Sequence, residues 1–421
     1  MGAFFREEGL QKKLLALPFI CVYKKGLFLN TNDFVLSRVN KTQRSEMKPF
    51  MPNFLPLEGI NWEGHAQLVG QANRAIARYD GLLQGIPDPV IMLSPLTSQE
   101  AVLSSKIEGI RATLGDLLKH DAGDSPKEPS QRQDIVEIEN YRLALWYAKN
   151  ALLQRPFSLS LLKELHQRLL SSVRGKDKNP GKFRTSQNWI GTPGTPIEEA
   201  FFVPPAPYVL ADLLNNFIEY YRSDRPDPLV QLAILHAQFE IIHPFDDGNG
   251  RLGRMIIPLF LFEKKILSEP MFYLSGYLEQ NREIYVHRLR KLGTSPDNWN
   301  EWIQFFMQAI VDQAEKNVAT IKAIKTLYDD LKREVLDLTH SQYAVPILDY
   351  MFSRPVFKPA DLAKKDTMPT RASLSALFNK FKEAGIVTVY TVGAGSKSEV
   401  LVFPKLFNIC EGRKVFEDPR D

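Results

Sequence analysis

Twelve residues constrain this chain more than any others: HPFDDGNGRLGR, from His243 to Arg254. They bring a histidine, two aspartates, three glycines and two arginines into one loop and helix start. Gly248 and Gly250 let the backbone turn its N–H groups onto an anion at close range. Arg251 and Arg254 are three apart and share a face if a helix begins here. A helix N-terminus itself favours negative charge. A base, a metal-binding carboxylate and a phosphate cradle together equip a chain for phosphoryl or nucleotidyl transfer.

Other readings of the stretch compete with this one. Gly248, Gly250 and Gly253 spell G-x-G-x-x-G, but that fingerprint needs a strand before it. Residues 229–242 instead carry apolar groups at helical spacing: Leu229, Leu232, Ala233 and Phe239. No Gly-Lys-Ser/Thr follows, so a P-loop is excluded. His236, Glu240 and His243 fall at i, i+4 and i+7 and suggest zinc, against a satisfied core histidine at His236. A plain Gly-rich turn does not need this arrangement of charges.

The stretch resembles the signature of the Fic family, H-x-F-x-[D/E]-G-N-G-R-x-x-R, at every fixed position. The resemblance implies a mainly α-helical bundle that transfers AMP from ATP to a target hydroxyl. By position, it makes His243 the general base and Asp247 the ligand of Mg²⁺. It assigns the phosphates to Gly248, Asn249, Gly250, Arg251, Leu252, Gly253 and Arg254, with Arg254 aimed at the γ-phosphate. A helix tyrosine, Tyr285 in preference to Tyr277, is expected to line the adenosine pocket.

A second stretch, TSQEAVLSSKIEG, runs from Thr97 to Gly109. Thr97 with Glu100 three later reads as a capping box that starts a helix, and Gly109 as its end. Taken alone, Glu108 is a solvated surface charge. Beside the signature, Ser104-x-x-x-Glu108-Gly109 resembles the Fic inhibitory motif [S/T]-x-x-x-E-[G/N]. That resemblance has Glu108 bind Arg254, bidentately if the geometry allows, and so displace ATP from a productive pose.

The 421 residues exceed one ordinary domain. A net charge of +4 gives no ground for nucleic-acid binding. Two distant cysteines fit a reducing cytosol, and no apolar run approaches a membrane span, so a cytoplasmic protein is expected. Residues 1–46 read as a weakly ordered tail. They contain a short apolar run at Leu14–Tyr23 that lacks the marks of a signal peptide, and a hairpin over Ile20–Val35 is an open alternative.

Residues 47–130 read as an N-terminal region carrying the inhibitory helix at about 97–109, and 131–336 as the catalytic core. Helices are expected at Trp62–Leu83, Asp134–Gln154, Leu159–Ser171, Tyr208–Tyr221, Leu229–Ile242, Met255–Lys264 and Asn298–Thr326, with 121–133 a loop. Two short strands around a Thr/Pro/Gly tip lie between Phe183 and Pro205. In the Fic family a flap here pairs with the target's extended segment, which makes Ile190, Gly191, Phe202 and Val203 the docking residues.

Residues 337–421 read as helix, short strand, two helices and a hairpin, an order that resembles a winged helix-turn-helix. Thr370, Arg371, Ser373 and Lys380 on its second helix would suit DNA, and winged helices also contact proteins. The expected partners are thus a target protein, a second copy of the chain, and DNA at the C-terminal end. Two rival functions stand beside AMP transfer: a Fic enzyme that moves another nucleotide or removes AMP, and an ATP-sensing transcription regulator.

Overall fold

A computed structural model describes residues 20–22 and 48–420, apart from 87, 193, 293, 294, 296 and 394–397. The chain is mainly helical, as expected, and its organising element is a helix that is buried on nearly every side. This helix, α8 (Pro228–Ile242), starts where Asp227 accepts the N–H groups of Leu229 and Val230, with Pro228 at the first helical position. Thirteen of its fifteen residues are buried, so it must sit at the centre of a bundle.

Packed around it are α1 (Trp62–Gln84), α7 (Leu210–Arg222), α9 (Asn249–Glu263) and α12 (Asn298–Thr339). Trp302 of α12 is fully buried, and its indole N–H donates to the Ala233 carbonyl of α8 at 2.8 Å. The pair α5 (Pro129–Leu152) and α6 (Leu159–Leu169) packs beside α9. The signature loop thus joins two buried helices, α8 and α9, which gives its side chains a rigid mount.

Most expected helices are present, with shifted ends. The helix expected to begin at Thr97 is α3, Ser94–Ile107, and Thr97 lies inside it. The capping box there does not form: Thr97 bonds the Tyr273 hydroxyl at 2.6 Å and Glu100 bonds Ser275. Pro95 starts the helix three residues earlier than the polar pair suggested. A true capping box occurs at Thr113–Asp116 and opens α4, Leu114–Asp121, which sequence reading passed over. α5 begins at Pro129, so part of the expected 121–133 loop is helical. Two short helices follow α9: α10 (Ser275–Gln280) and α11 (Arg282–Lys291).

Of the two short strands expected around the tip, one forms, and the second arm meets it through a single bridge. β2 (Trp189–Gly191) bridges to Phe202, with Ile190 N–H donating to the Phe202 carbonyl at 2.8 Å. On its other side β2 pairs antiparallel with β1 (Ile20–Val22), in the register Cys21 to Ile190. The rest of the tail, and the remainder of the Ile20–Val35 hairpin, lies outside the described residues.

The C-terminal part has the expected order: α13 (Ala344–Ser353), β3 (Val356–Phe357), α14 (Pro359–Leu362), α15 (Arg371–Glu383), then β4 (Thr388–Thr391) and β5 (Val400–Val402). β5 lies between β3 and β4, antiparallel to both. Most of the Gly-rich tip between β4 and β5 is outside the described residues. A further helix, α16 (Pro404–Glu411), was not expected. This part shares its core with the rest of the chain. α12 runs on to Thr339, packing against α13, α15 and α16, while β3 packs on α4. Lys358 donates to the Gly123 carbonyl at 3.0 Å, and Lys119 sits 3.9 Å over the Tyr390 ring. Among the described residues no helix is long and apolar enough to cross a membrane.

Trp302 tests the central packing. Trp302→Ala should lower unfolding free energy by about 3–5 kcal/mol, since it empties a large buried site and leaves the Ala233 carbonyl without its donor. Urea denaturation followed by circular dichroism measures it; a loss under 1 kcal/mol would mean α12 does not close the core there.

Candidate active site

The signature loop is shaped by two left-handed residues. α8 ends at His243, whose φ is +47°, and Pro244 prevents the right-handed helix from continuing through it. α9 begins at Gly248, whose φ of +76° suits a residue without Cβ. Directly after Gly248, Asn249 folds its amide back over the loop, accepting the Phe245 N–H and donating to the Phe245 carbonyl, both at 2.9 Å. The first turn of α9 then opens toward a cavity.

His243 lines that cavity and is 7% exposed. Its Nδ1 lies 3.2 Å from the Glu240 carbonyl, which can only accept, so Nδ1 carries the proton and Nε2 keeps its lone pair. Burial, helped by the nearby Arg184, pulls its pKa down to about 4. The ring is therefore a neutral base across the physiological range. Arg184 also fixes the loop, donating to the His243 carbonyl at 2.9 Å.

His166 braces the other end. Gly181 N–H donates to its Nδ1 at 2.8 Å, so its Nε2–H donates to the Asp247 carbonyl at 3.0 Å. Its ring stacks on Phe245, 3.8 Å between centroids. The Asp247 carboxylate accepts the Gly248 N–H at 2.6 Å and is 43% exposed at the cavity wall.

Arg254 is the charge at the cavity floor. It is 2% exposed, and α3 supplies its partners: Nε donates to Ser104 Oγ at 2.9 Å, and Nη2 to the Ser104 carbonyl at 2.9 Å and to Glu108 Oε1 at 2.6 Å. Burial opposes its charge, but Glu108, Tyr285 and Glu240 outweigh that and hold it protonated. The expected Glu108–Arg254 pairing is present, but it uses one carboxylate oxygen where a bidentate fork was open. Gly109, with φ +92°, turns the chain away directly after Glu108.

Bare backbone on α9 makes room for these acids. A Cβ at Gly250 would overlap the Glu108 carboxylate, and one at Gly253 would overlap that of Glu240. Burial pushes the Glu240 carboxyl up to about 8, so it is mostly protonated at neutral pH.

The remaining assigned residues divide. Gly248, Asn249, Gly250, Tyr285, Ile190 and Phe202 line the cavity. Tyr285 is buried, and its hydroxyl donates to His236 Nε2 at 3.0 Å because His236 Nδ1 gives its proton to the Gly253 carbonyl. His236 is thus a satisfied core histidine. Among the described residues no cluster of three His, Cys, Asp or Glu could hold a metal, which ends the zinc reading. Leu252 is fully buried in the core, and Val203 packs with Trp189 and Ala200 behind the flap. Arg251 does not line the cavity: it donates to Glu137 of α5 at 3.0 Å, with the Asp247 carboxylate 3.9 Å away. Sequence reading missed Arg184, His166 and Glu137, whose partners lie far off in the chain or are backbone atoms.

Comparison with known proteins agrees with this geometry. Residues 66–150 match the family model described as "Fic/DOC family N-terminal", and residues 156–261 the one described as "Fic/DOC family". The chain carries a Fic domain. Over 202 residues it is 27% identical to a "probable protein adenylyltransferase" of Aquifex aeolicus, covering 47% of this chain and 56% of that protein. Over 191 residues it is 31% identical to the protein adenylyltransferase Fic of Drosophila grimshawi, covering 43% of this chain and 34% of that one. The matches thus span about half or less of these relatives. A Fic family protein from Desulfovibrio desulfuricans G20 shares the fold, with a TM-score of 0.51 at 17% identity over 84% of this chain and 98% of that one.

The ion pair at the floor of the Fic core is open to test. Glu108→Ala removes a charge-assisted hydrogen bond and should cost about 1.5–3 kcal/mol of unfolding free energy without ligand. Unchanged urea unfolding would mean that Ser104 alone satisfies Arg254.

Proposed function

We propose that this chain is a protein adenylyltransferase: it moves AMP from ATP to a hydroxyl of a target protein, and Glu108 restrains it in cis. The observation that carries the reading is His243, a neutral buried imidazole with its Nε2 lone pair free of the Nδ1 hydrogen bond, facing the open first turn of α9. The names of the relatives support it.

The chain's own groups supply most of the chemistry. The N–H groups at the start of α9 hold the α- and β-phosphates. His243 Nε2 takes the proton as the target oxygen attacks the α-phosphorus, and the bond to the bridging oxygen breaks to release pyrophosphate. Arg254 meets the γ-phosphate only when Glu108 has left it. The partly exposed Asp247 carboxylate fits Mg²⁺, which commonly takes one or two carboxylates and completes its shell with phosphate oxygens and water. When bound there the ion would neutralise phosphate charge.

Target docking is by strand addition to the flap. β1 covers the outer edge of β2, and Phe50 N–H donates to the Val203 carbonyl on the opposite arm at 2.9 Å. A target segment that adds to β2 therefore competes with the chain's own Ile20–Val22.

Intact-mass measurement after incubation with ATP and Mg²⁺ tests the proposal. Glu108→Gly should gain AMP, at least ten-fold faster than wild type, and His243→Ala in that background should not. No gain in Glu108→Gly, with ATP bound, would leave a nucleotide sensor instead. The rate should stay high as pH falls through 6.5 and collapse only near pH 4, where His243 takes up its proton. A loss centred at 6.5 would mean a solvated histidine is the base.

A further inference from the structure

α3 carries a second acid, two turns before Glu108. Glu100 is 2% exposed, about 12 Å along the axis from Glu108. Its Oε1 accepts the Ser275 hydroxyl at 2.5 Å and the Tyr141 hydroxyl at 3.4 Å, and its Oε2 accepts the Ser275 N–H at 3.2 Å. Ser275 opens α10 and Tyr141 lies on α5. One carboxyl therefore ties α3 to two other helices. Burial pushes this carboxyl up to about 7, which suits neutral partners.

The position of α3 matters to Arg254 beyond the Glu108 side chain. The Ser104 carbonyl and hydroxyl both bind the guanidinium, so part of the restraint is α3 backbone. A rotation of Glu108 alone leaves those two bonds in place. Full release of Arg254 needs the last turns of α3 to shift, and Glu100 anchors the helix just upstream of them.

We propose that Glu100 is a positioning residue of the brake: by pinning α3 to α5 and α10 it sets how firmly Ser104 and Glu108 hold Arg254. This rests on the AMP-transfer reading above and adds to it a residue that touches neither nucleotide nor target. A buried acid that served only global stability would slow transfer when lost. A positioning acid speeds it.

The test uses the full-length protein with two readouts. In Glu100→Ala, amide hydrogen exchange across 94–107 should accelerate at least ten-fold without ATP, and AMP self-modification should rise several-fold above wild type. Glu100→Gln keeps an acceptor for Ser275 and should stay near wild type in both. In the Glu108→Gly background, Glu100→Ala should add less than two-fold, because the brake is already gone. If Glu100→Ala does not fold, Ser275→Ala breaks the same tie from α10 and should show the same pair of changes. Unchanged exchange overturns the inference whatever the enzyme does. So does wild-type modification in Glu100→Ala beside a fast Glu108→Gly. If Glu108→Gly fails to modify itself, the transfer reading falls, and the exchange result still decides whether Glu100 holds α3.

Discussion

A guanidinium inside a hydrophobic bundle is the constraint on which this structure turns. Arg254 is nearly inaccessible, and an unpaired charge there would be costly. Its donors must be met, and the bundle meets them by bringing α3 across the start of α9 so that Ser104 and Glu108 face it. The same requirement bares the α9 backbone at Gly250 and Gly253, where side chains would displace the two acids. A triphosphate would satisfy the same guanidinium, so the resting contact and the proposed working contact exclude one another. In the proposed reading, the brake is the solvation shell of the arginine when the nucleotide is away.

A similar economy governs His243. The left-handed turn that ends α8 also aims the ring into the cavity, and the carbonyl one turn back fixes its tautomer. Burial then keeps the imidazole neutral. Among the described residues no carboxylate bonds this ring; the helix backbone orients it. Arg184 and His166 hold the loop from either side through backbone carbonyls, so the loop's shape depends on residues that never enter the cavity.

Legibility from sequence followed locality. The signature is contiguous, and its spacing alone places a base, an anion nest and a carboxylate on one loop. α1 and α6 were readable because their apolar periodicity is strong; α8, buried on nearly every side, was readable from its dense apolar content between Pro228 and Pro244. The Thr97–Glu100 pair misled because both side chains have tertiary partners, Tyr273 and Ser275, which outbid the local cap. Arg251 looked like the twin of Arg254, yet Glu137, more than a hundred residues earlier, draws it away. Glu240 showed no sign of its raised pKa, which comes from burial among elements that only the fold assembles. α4 was missed for a smaller reason: its eight residues are too few for periodicity, although Thr113 and Asp116 marked its start.

The long helix α12 has one more consequence. It runs unbroken for 42 residues, about 63 Å at 1.5 Å per residue, from the indole that props α8 to the C-terminal helices. Each residue added to it would push everything beyond by about 1.5 Å and swing it by about 100°. The C-terminal part also meets the chain at α4, through Lys358 and Tyr390, so both seams must close at once. The number of residues in α12 is therefore itself fixed by the fold's geometry, although no single position along it need be special.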